Sequence, residues 1–410
     1  MDQSVKFEME KSFVGSMVRG IYDLQKMRIQ SGNRVAINFK DKLKQTVDMS
    51  TMDPEKKDKY LNGILKRLLK DYSRITDAIV NEEYEAEEEN GDVEYKMART
   101  LIKKKEFKPE GLIDDYNELT LVDQYVRILG VEEESFKQLG GVLMNFPIYT
   151  EFLSKIDGVG PKISGVLISE INIYKATYVS SIWKYAGLDV ISIGVYTDDK
   201  GKEIKIPHRE YEELLTARES FDSPIIYKGY VVKEMHVTAS KKNEALVEQT
   251  YINKDKEQDV RLSITFNPFL KSKLIGVLGP SFLKSTKTYI DGELTGTPKR
   301  LELAVKEGYK AKTHGKGAEA IVNFLKENGH QIHVERTKYG NAYYNYRNRL
   351  NNHPDHKDKS DLHKHNMAIR YAVKRFLVDL YIAWRNLEGL PVTDEYAVRK
   401  LGLNHGQGNM

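Results

Sequence analysis

The short segment Asp157-Gly158-Val159-Gly160-Pro161 constrains the fold more tightly than any other part of this sequence. Gly158 and Gly160 allow positive φ and a close approach of the backbone. Val159 can pin the turn into a core. Pro161 suits the first position of a helix, where its missing N–H costs nothing. The segment therefore predicts a tight turn that leads directly into a helix.

Both sides of this turn have apolar residues at helical spacing. Pro147 can open a first helix. The side chains expected to pack the two helices together are Phe152, Leu153, Ile156, Ile163, Val166, Leu167 and Ile171. The sequence thus predicts a helix-hairpin-helix. The alternative is an ordinary pair of helices joined by a glycine turn.

A helix-hairpin-helix presents backbone N–H groups at the start of its second helix, and such a helix end binds anions. A DNA phosphate fits this site, and Lys162 adds a positive charge beside it. Contacts of this kind position a protein on the DNA backbone and read no base sequence. The predicted DNA-binding residues of the hairpin are Gly158, Val159, Gly160 and Lys162.

The overall charge of the chain does not by itself indicate nucleic acid. There are 64 Lys and Arg against 60 Asp and Glu, a formal net charge of +4, so a basic face requires local clustering. The absence of cysteine excludes disulfides, thiol catalysis and cysteine-bound zinc. No cofactor and no metal are expected.

The chain begins without the apolar run of a signal peptide, and no apolar stretch approaches the roughly 20 residues of a membrane span. We therefore expect a soluble, cytoplasmic protein with no membrane partner. Self-association and RNA binding are left open.

Hydrophobic periodicity and turn residues predict a mainly α fold, in which a helical N-terminal domain precedes a helix-hairpin-helix domain with a β-containing insertion. Residues 190–266 contain most of the strand-like segments, and a long helix is expected within 341–390. The expected divisions are a helical domain (1–147), the helix-hairpin-helix (148–189), the β-containing insertion (190–266), core helices (267–289), a Lys/Gly-rich insertion (290–336) and a basic-aromatic helical region (337–410).

The basic-aromatic region supplies further candidates for DNA contact. Arg347 and Arg349 could hold phosphates, and the neighbouring tyrosines Tyr343, Tyr344 and Tyr346 could stack or hydrogen-bond. The alternative is a helix whose tyrosines face the core and whose arginines are solvated.

Three residues farther along complete the predicted DNA-binding set. His363 could approach a phosphate, while Lys374 and Arg375 could form a basic helix face, or simply a solvated one. The histidines between 353 and 365 could bind zinc, but their spacing matches no established motif. A polar loop before a helix explains these histidines equally well.

Three blocks extend the hairpin pattern towards a known family. The hairpin followed by Ser181-Ile182-Trp183-Lys184-Tyr185-Ala186-Gly187-Leu188 resembles the C-terminal domain of the Piv/MooV-type insertion-sequence transposases. The blocks 267–282 and 346–392 resemble divergent, phage-like members. The resemblance covers much of residues 148–403, with interruptions.

This resemblance implies DNA handling. Full-length members pair the domain with an N-terminal RuvC-like domain that holds metal through carboxylates, and their C-terminal domain supplies a serine nucleophile after the Ala-Gly-Leu block. Residues 1–147 show no matching strand-borne carboxylates, and no Ser-Gly motif follows Leu188. Ser192 lies near that place, but its neighbours favour a strand, and no activating base is identifiable.

The sequence therefore favours a DNA-binding regulator or recombination accessory of a phage or mobile element, without assigned catalytic residues. Two alternatives stay open. One is an active transposase with an unrecognised catalytic site, and the other is a helical assembly protein that does not bind DNA.

Overall fold

A computed structural model of the chain describes residues 3–46, 63–90, 108–206, 208–218, 223–238, 246–252, 258–264, 266–314 and 318–393. Helices predominate, which confirms the predicted mainly α class. The chain forms two compact units, one of residues 13–142 and the other of residues 1–12 together with 143–410.

The unit of residues 13–142 is built from long helices. These are α1 (Gln3–Thr46, which begins in the other unit), α2 (Ile64–Asn90) and α3 (Tyr116–Leu143). Its core is apolar and includes Val35, Phe39, Leu68, Ile113 and Val122. Within the described part of this unit there is no strand, only one isolated bridge at Glu110 and Ile113.

Buried carboxylates in this unit take part in internal contacts. The Tyr72 hydroxyl donates to Asp123 at 2.6 Å, and Arg28 forms an ion pair with Glu132. The described residues thus pack around apolar side chains and individually partnered acids, as a helical bundle does.

The second unit contains the segment 148–189, predicted as the helix-hairpin-helix, and the segments 190–266 and 290–336, predicted as insertions. Its helices are α4 (Pro147–Glu151), α5 (Pro161–Glu170), α6 (Val179–Tyr185), α7 (His208–Thr216), α8 (Pro268–Lys273), α9 (Gly279–Lys284), α10 (Thr297–Lys306), α11 (Ala311–His314), α12 (Ala318–Glu327), α13 (Lys338–Asn352) and α14 (Asp361–Leu387). Its strands are β1 (Val190–Thr197), β2 (Glu203–Lys205), β3 (Ile226–Tyr227), β4 (Tyr230–Val231), β5 (Lys233–Thr238), β6 (Leu246–Ile252), β7 (Gln258–Ile264), β8 (Lys287–Ile290), β9 (Glu293–Leu294) and β10 (Ile332–Glu335).

The long helix α14 is the central element of this unit. Phe376, Tyr381 and Trp384 are fully buried on it. The Ser360 hydroxyl caps its start by accepting from the His363 amide, and Gly389 follows its end with φ +65°. The long C-terminal helix predicted within 341–390 is therefore confirmed, although a separate helix, α13, precedes it.

A buried arginine ties α14 to the segment after α5. Arg385 donates to the carbonyls of Ile173 at 3.0 Å, Ala176 at 2.9 Å and Pro391 at 2.6 Å. The planar guanidinium directs several N–H donors in fixed directions, so it can bind these carbonyls at once. A lysine ammonium lacks this fixed geometry. This contact fixes the chain that leaves the hairpin against the central helix.

The segment 268–284 is helical throughout, with a π-helical turn, Leu274–Leu278, between α8 and α9. The Gly279 amide donates to the Leu274 carbonyl, a bond that spans five residues. The widened turn accommodates Pro280, which has no N–H and would crowd an ordinary helical turn.

Strands are present within 190–266, as predicted. Strand β1 pairs antiparallel with β2 and β5, while β3–β4 and β6–β7 form two further antiparallel pairs. Ser192 lies within β1, as its neighbours predict, and is paired in register with His236. A turn at 198–201 joins β1 to β2, with Gly201 at φ +74°.

The Lys/Gly-rich insertion contains more structure than its sequence indicates. It contains the helix α12. A three-stranded sheet in the order β10-β8-β9 accompanies it. Tyr309, Phe324 and Leu325 are part of a separate apolar core here.

Among the described helices, none combines the length and the apolar character that a bilayer crossing requires.

Candidate nucleic-acid interface

The hairpin has a shorter first helix than its sequence predicts. Helix α4 ends at Glu151, and a 3₁₀ turn, Leu153–Lys155, continues the chain towards the bend. The Val159 amide donates to the Ile156 carbonyl at 3.0 Å, and Val159 is buried as predicted. Pro161 is at the start of α5, also as predicted.

The two glycines of the bend differ in backbone conformation. Gly158 has φ +91° and so uses the left-handed conformation that glycine allows. Gly160 has φ −88° and ψ 175° and does not use it. Gly160 is the N-cap of α5, and an N-cap residue requires extended backbone rather than the left-handed region.

The bend has one packed side and one open side. The Gly158 carbonyl accepts from the Ser281 hydroxyl at 2.7 Å, so this residue is fixed against α9. Gly160 and Pro161 are exposed, and a Cβ built on Gly160 meets nothing within 4 Å. Because Gly160 has no side chain to cap α5, the start of this helix is accessible to an acceptor from solvent.

Lysines and carboxylates alternate around the bend. Lys155 pairs with Glu151 at 2.9 Å, Lys287 approaches Asp157 at 3.9 Å, and Lys338 pairs with Asp379 at 2.7 Å. Lys162 is half-buried in the first turn of α5. The positive charge beside the bend is therefore partly balanced by carboxylates.

An open cavity of about 520 Å³ lies beside this bend. Lys155 and Asp157 line it from the hairpin, and Lys338, Tyr339 and Asp379 line it from α13 and α14. The Tyr339 hydroxyl donates to Asp379 at 2.8 Å. Burial, followed by the Asp379 carboxylate, raises the pKa of Tyr339 far above its usual value, so the phenol stays a neutral donor.

The tyrosines of the basic-aromatic region face inward more than outward. Tyr343 is buried and its hydroxyl lies 2.7 Å from His365 Nδ1. Tyr346 stacks on Tyr371 with ring centroids 4.4 Å apart. The Arg336 guanidinium lies 4.2 Å from the centroid of Tyr344. Tyr343 and Tyr346 therefore follow the alternative in which the tyrosines face the core, and they hold α13 against α14.

The arginines of α13 differ from each other. Arg347 donates to the Asp361 carbonyl at 2.6 Å and to its carboxylate at 2.7 Å, so its guanidinium already has an anionic partner. Arg349 is exposed, and so is His363 on the first turn of α14. Only the last two keep the accessibility that the sequence analysis assumed for phosphate contact.

Lys374 and Arg375 are both half-buried on α14. The Lys374 ammonium lies 4.7 Å from the centre of the Trp183 ring, and burial lowers the pKa of Lys374. The pair is less accessible than a solvated helix face, and its contact with DNA stays a prediction.

Lys374 belongs instead to a group that the sequence analysis missed. We call it the basic recess, and it consists of Lys271, Arg370, Lys374, Asp189 and Trp183. Burial is the largest cause of the lowered pKa of each of the three cations, and the Asp189 carboxylate opposes it in all three. The only sequence signal for this group was the resemblance to transposases. Its three blocks contain Trp183, Lys271, and the pair Arg370 and Lys374, respectively.

The histidines of 353–365 do not converge. His353 and His356 have ring centroids 5.1 Å apart, whereas His365 contacts Tyr343. Within the described ranges, no group of three or more His, Asp or Glu side chains has an arrangement suited to a metal ion.

No family model matches this chain, and neither a curated protein nor a solved structure matches it.

Proposed function

We propose that this chain is a DNA-binding protein that contacts the sugar-phosphate backbone at the start of α5. The supporting observation is the exposed, side-chain-free N-cap Gly160 ahead of a ten-residue helix. Pro161 at the first position has no N–H, so the amides that follow it, together with the helix dipole, favour a phosphate oxygen. The packing of Gly158 on α9 keeps the bend preformed, so little ordering is needed on binding.

The biological setting of this proposal comes from the sequence resemblance to transposases. We place the protein among regulators or recombination accessories of phages and mobile elements, acting in the cytoplasm. No Ser-Gly motif follows Leu188, so an accessory role is preferred to strand transfer.

The proposal is tested by the binding of labelled duplex DNA at several salt concentrations. Backbone contact predicts a linear fall of log affinity with log salt, by about 0.9 for each neutralised phosphate. Gly160→Glu should lower the affinity at least about tenfold, because a carboxylate would face the phosphate. Gly160→Ala should bind like the wild type, since its methyl group enters open space.

Gly141→Glu is the matched charge control. Gly141 is an exposed helical glycine in the unit of residues 13–142, and a Cβ there also meets nothing within 4 Å. Equal affinity of Gly160→Glu and Gly141→Glu, with both proteins folded, would refute the hairpin contact. Cleavage of the DNA or a covalent protein–DNA adduct would instead establish the transposase alternative.

A further inference from the structure

A second cavity, of about 340 Å³, lies where the start of α1 meets α5 and α6. Its wall includes two residues of α1, the last residue of α5 and two residues of α6, which are Glu8, Lys11, Glu170, Ser181 and Tyr185. This volume is at the lower end of the roughly 300–1,000 Å³ of small-molecule sites. The cavity adjoins the end of α5, whereas the proposed DNA contact is at the start of that helix.

The start of α1 is firmly attached to the rest of this cavity wall. The centroid of the Phe7 ring lies 5.3 Å from that of Tyr174 and 5.8 Å from that of Trp384. The Asn172 side-chain amide donates to the Glu8 carboxylate. These contacts hold the first turns of α1 in place, so the cavity is preformed and a ligand requires little ordering of the protein.

Two donors on the wall have no partner within the described residues. Lys11 is half-buried, and no hydrogen bond or ion pair from a described residue reaches its ammonium. Burial lowers the pKa of Lys11, while the more distant charges of Glu8 and then Glu170 oppose this shift. The Ser181 hydroxyl likewise has no hydrogen-bond partner in the described ranges. These donors suit an anionic acceptor such as a carboxylate.

The carboxylates on the wall suit a ligand with a positive group. An ionised carboxylate such as that of Glu8 offers about four acceptor sites, and the Asn172 amide takes one of them. Glu170 accepts from the Asn267 side-chain amide at 2.5 Å and adds a second negative charge to the wall. An ammonium group on the ligand would therefore be attracted to this side of the cavity.

The charges that line the cavity balance. Lys11 and Lys175 contribute two positive charges, and Glu8 and Glu170 contribute two negative ones. A phosphate ester with two negative charges would meet both carboxylates, and like charges at partly desolvated positions repel each other strongly. A zwitterion carries one charge of each sign, so it matches this wall better than an anion or a cation alone.

We propose that this cavity binds a free α-amino acid with an apolar side chain, its carboxylate at Lys11 and Ser181 and its ammonium at Glu8. Ile171 and Ile182 are buried on the wall and provide the apolar surface for that side chain. This site goes beyond the proposed DNA contact, and its occupation does not depend on it.

Calorimetric titration of the full chain with leucine tests the proposal, and saturable binding is expected. Two analogues test whether both charges are recognised. Isocaproate has the same carbon chain without the ammonium group, and isoamylamine lacks the carboxylate. Each analogue should bind at least about tenfold more weakly than leucine, because it loses one set of charge-assisted hydrogen bonds.

Variants of the wall locate the binding. Lys11→Met keeps the apolar part of the side chain but removes its charge, and should weaken leucine binding about tenfold. Ser181→Ala removes only an exposed hydroxyl and should weaken it about three- to tenfold. Lys326→Met, at an exposed lysine on α12, removes the same charge elsewhere and should leave the affinity unchanged.

A wild-type protein without saturable leucine binding would overturn the proposal, as would isocaproate or isoamylamine binding as tightly as leucine. Wild-type affinity of a folded Lys11→Met variant would place the ligand elsewhere and would also overturn it. Should Lys11→Met fail to fold, the exposed Ser181→Ala change decides the matter in the same way. The Gly160→Glu variant should bind leucine like the wild type, which separates failure of the hairpin from failure of this cavity.

Discussion

Gly158 and Gly160 lie two positions apart in the bend, and each is glycine for a different physical reason. Gly158 has a left-handed backbone, and a Cβ there would lie 2.9 Å from Ser285 Oγ and 3.1 Å from the Ser281 backbone. Gly160 has ordinary extended backbone and open space beside it. The first glycine is required by the fold, and the second keeps the helix start accessible.

This difference predicts opposite results for one substitution at the two sites. Gly158→Ala should lower the free energy of unfolding by about 1–3 kcal/mol, because a non-glycine residue is strained at positive φ. Gly160→Ala should change it by less than about 1 kcal/mol, since the poorer N-cap is offset by a less flexible unfolded chain. Chemical denaturation measures both, and equal losses would contradict the assigned conformations.

The sequence does not reveal which partners its charged residues contact. The sequence identifies Arg347 and Lys374 as cations, but not that one contacts Asp361 and the other covers Trp183. Trp183 is far from Lys374 in sequence, so no local pattern reports their contact. A basic residue in an amphipathic helix can cover an apolar ring as readily as it can face solvent.

At the scale of elements, a helix can be predicted from sequence where its segment has its own hydrophobic periodicity and its own capping or terminating residues. Helices α12 and α14 and the start of α5 at Pro161 follow from such signals. The pairing of β8 with β10 could not be predicted, because the strands are short and about forty residues apart. The basic recess was missed for the same reason, since it exists only after α8 and α14 pack near α6.

Three residues that follow different elements of the Lys/Gly-rich insertion form a contact that responds to pH. His330 Nδ1 lies 2.6 Å from the Asp291 carboxylate, and its Nε2 lies 2.6 Å from Glu307. Hydrogen bonds to Glu307 and then Asp291 raise the pKa of His330 above 6.5. The bond from His330 and then the Gln331 amide lower the pKa of Asp291 below 3.8.

These shifts define the pH range in which the contact stabilises the insertion. A raised histidine pKa adds stability that is complete below about pH 6.5 and is lost as pH rises through the folded value. A lowered aspartate pKa adds stability above about pH 3.9 that is lost as pH falls through the folded value. His330→Gln should therefore destabilise the protein most between these limits, and less above neutrality.

Thermal unfolding of wild type and His330→Gln across this pH range measures the effect. His333→Gln, at an exposed histidine on β10, is the control and should show no such pH-dependent difference. A destabilisation by His330→Gln that is constant from acid to alkaline pH would mean that His330 contributes by packing and not by charge.

At the scale of the whole molecule, each compact unit has apolar cores of its own. Leu68 is in the core of residues 13–142, and Leu377 is fully buried on α14 in the other unit. Units with separate cores can unfold separately, and the location of the tryptophans makes this measurable. Both tryptophans, Trp183 and Trp384, belong to the second unit, so their fluorescence reports on that unit alone.

Leu68→Ala should therefore destabilise the unit of residues 13–142 by about 2–5 kcal/mol, the cost of a cavity in a packed core. Circular dichroism, which detects helices of both units, should show an earlier transition, while the tryptophan transition stays in place. Leu377→Ala should shift the tryptophan transition instead. Since the proposed DNA contact lies on α5, Leu68→Ala should also leave DNA affinity unchanged under conditions where the second unit is folded. Equal shifts of both probes by Leu68→Ala would show that the helix α1, which continues from one unit into the other, couples them into one cooperative structure.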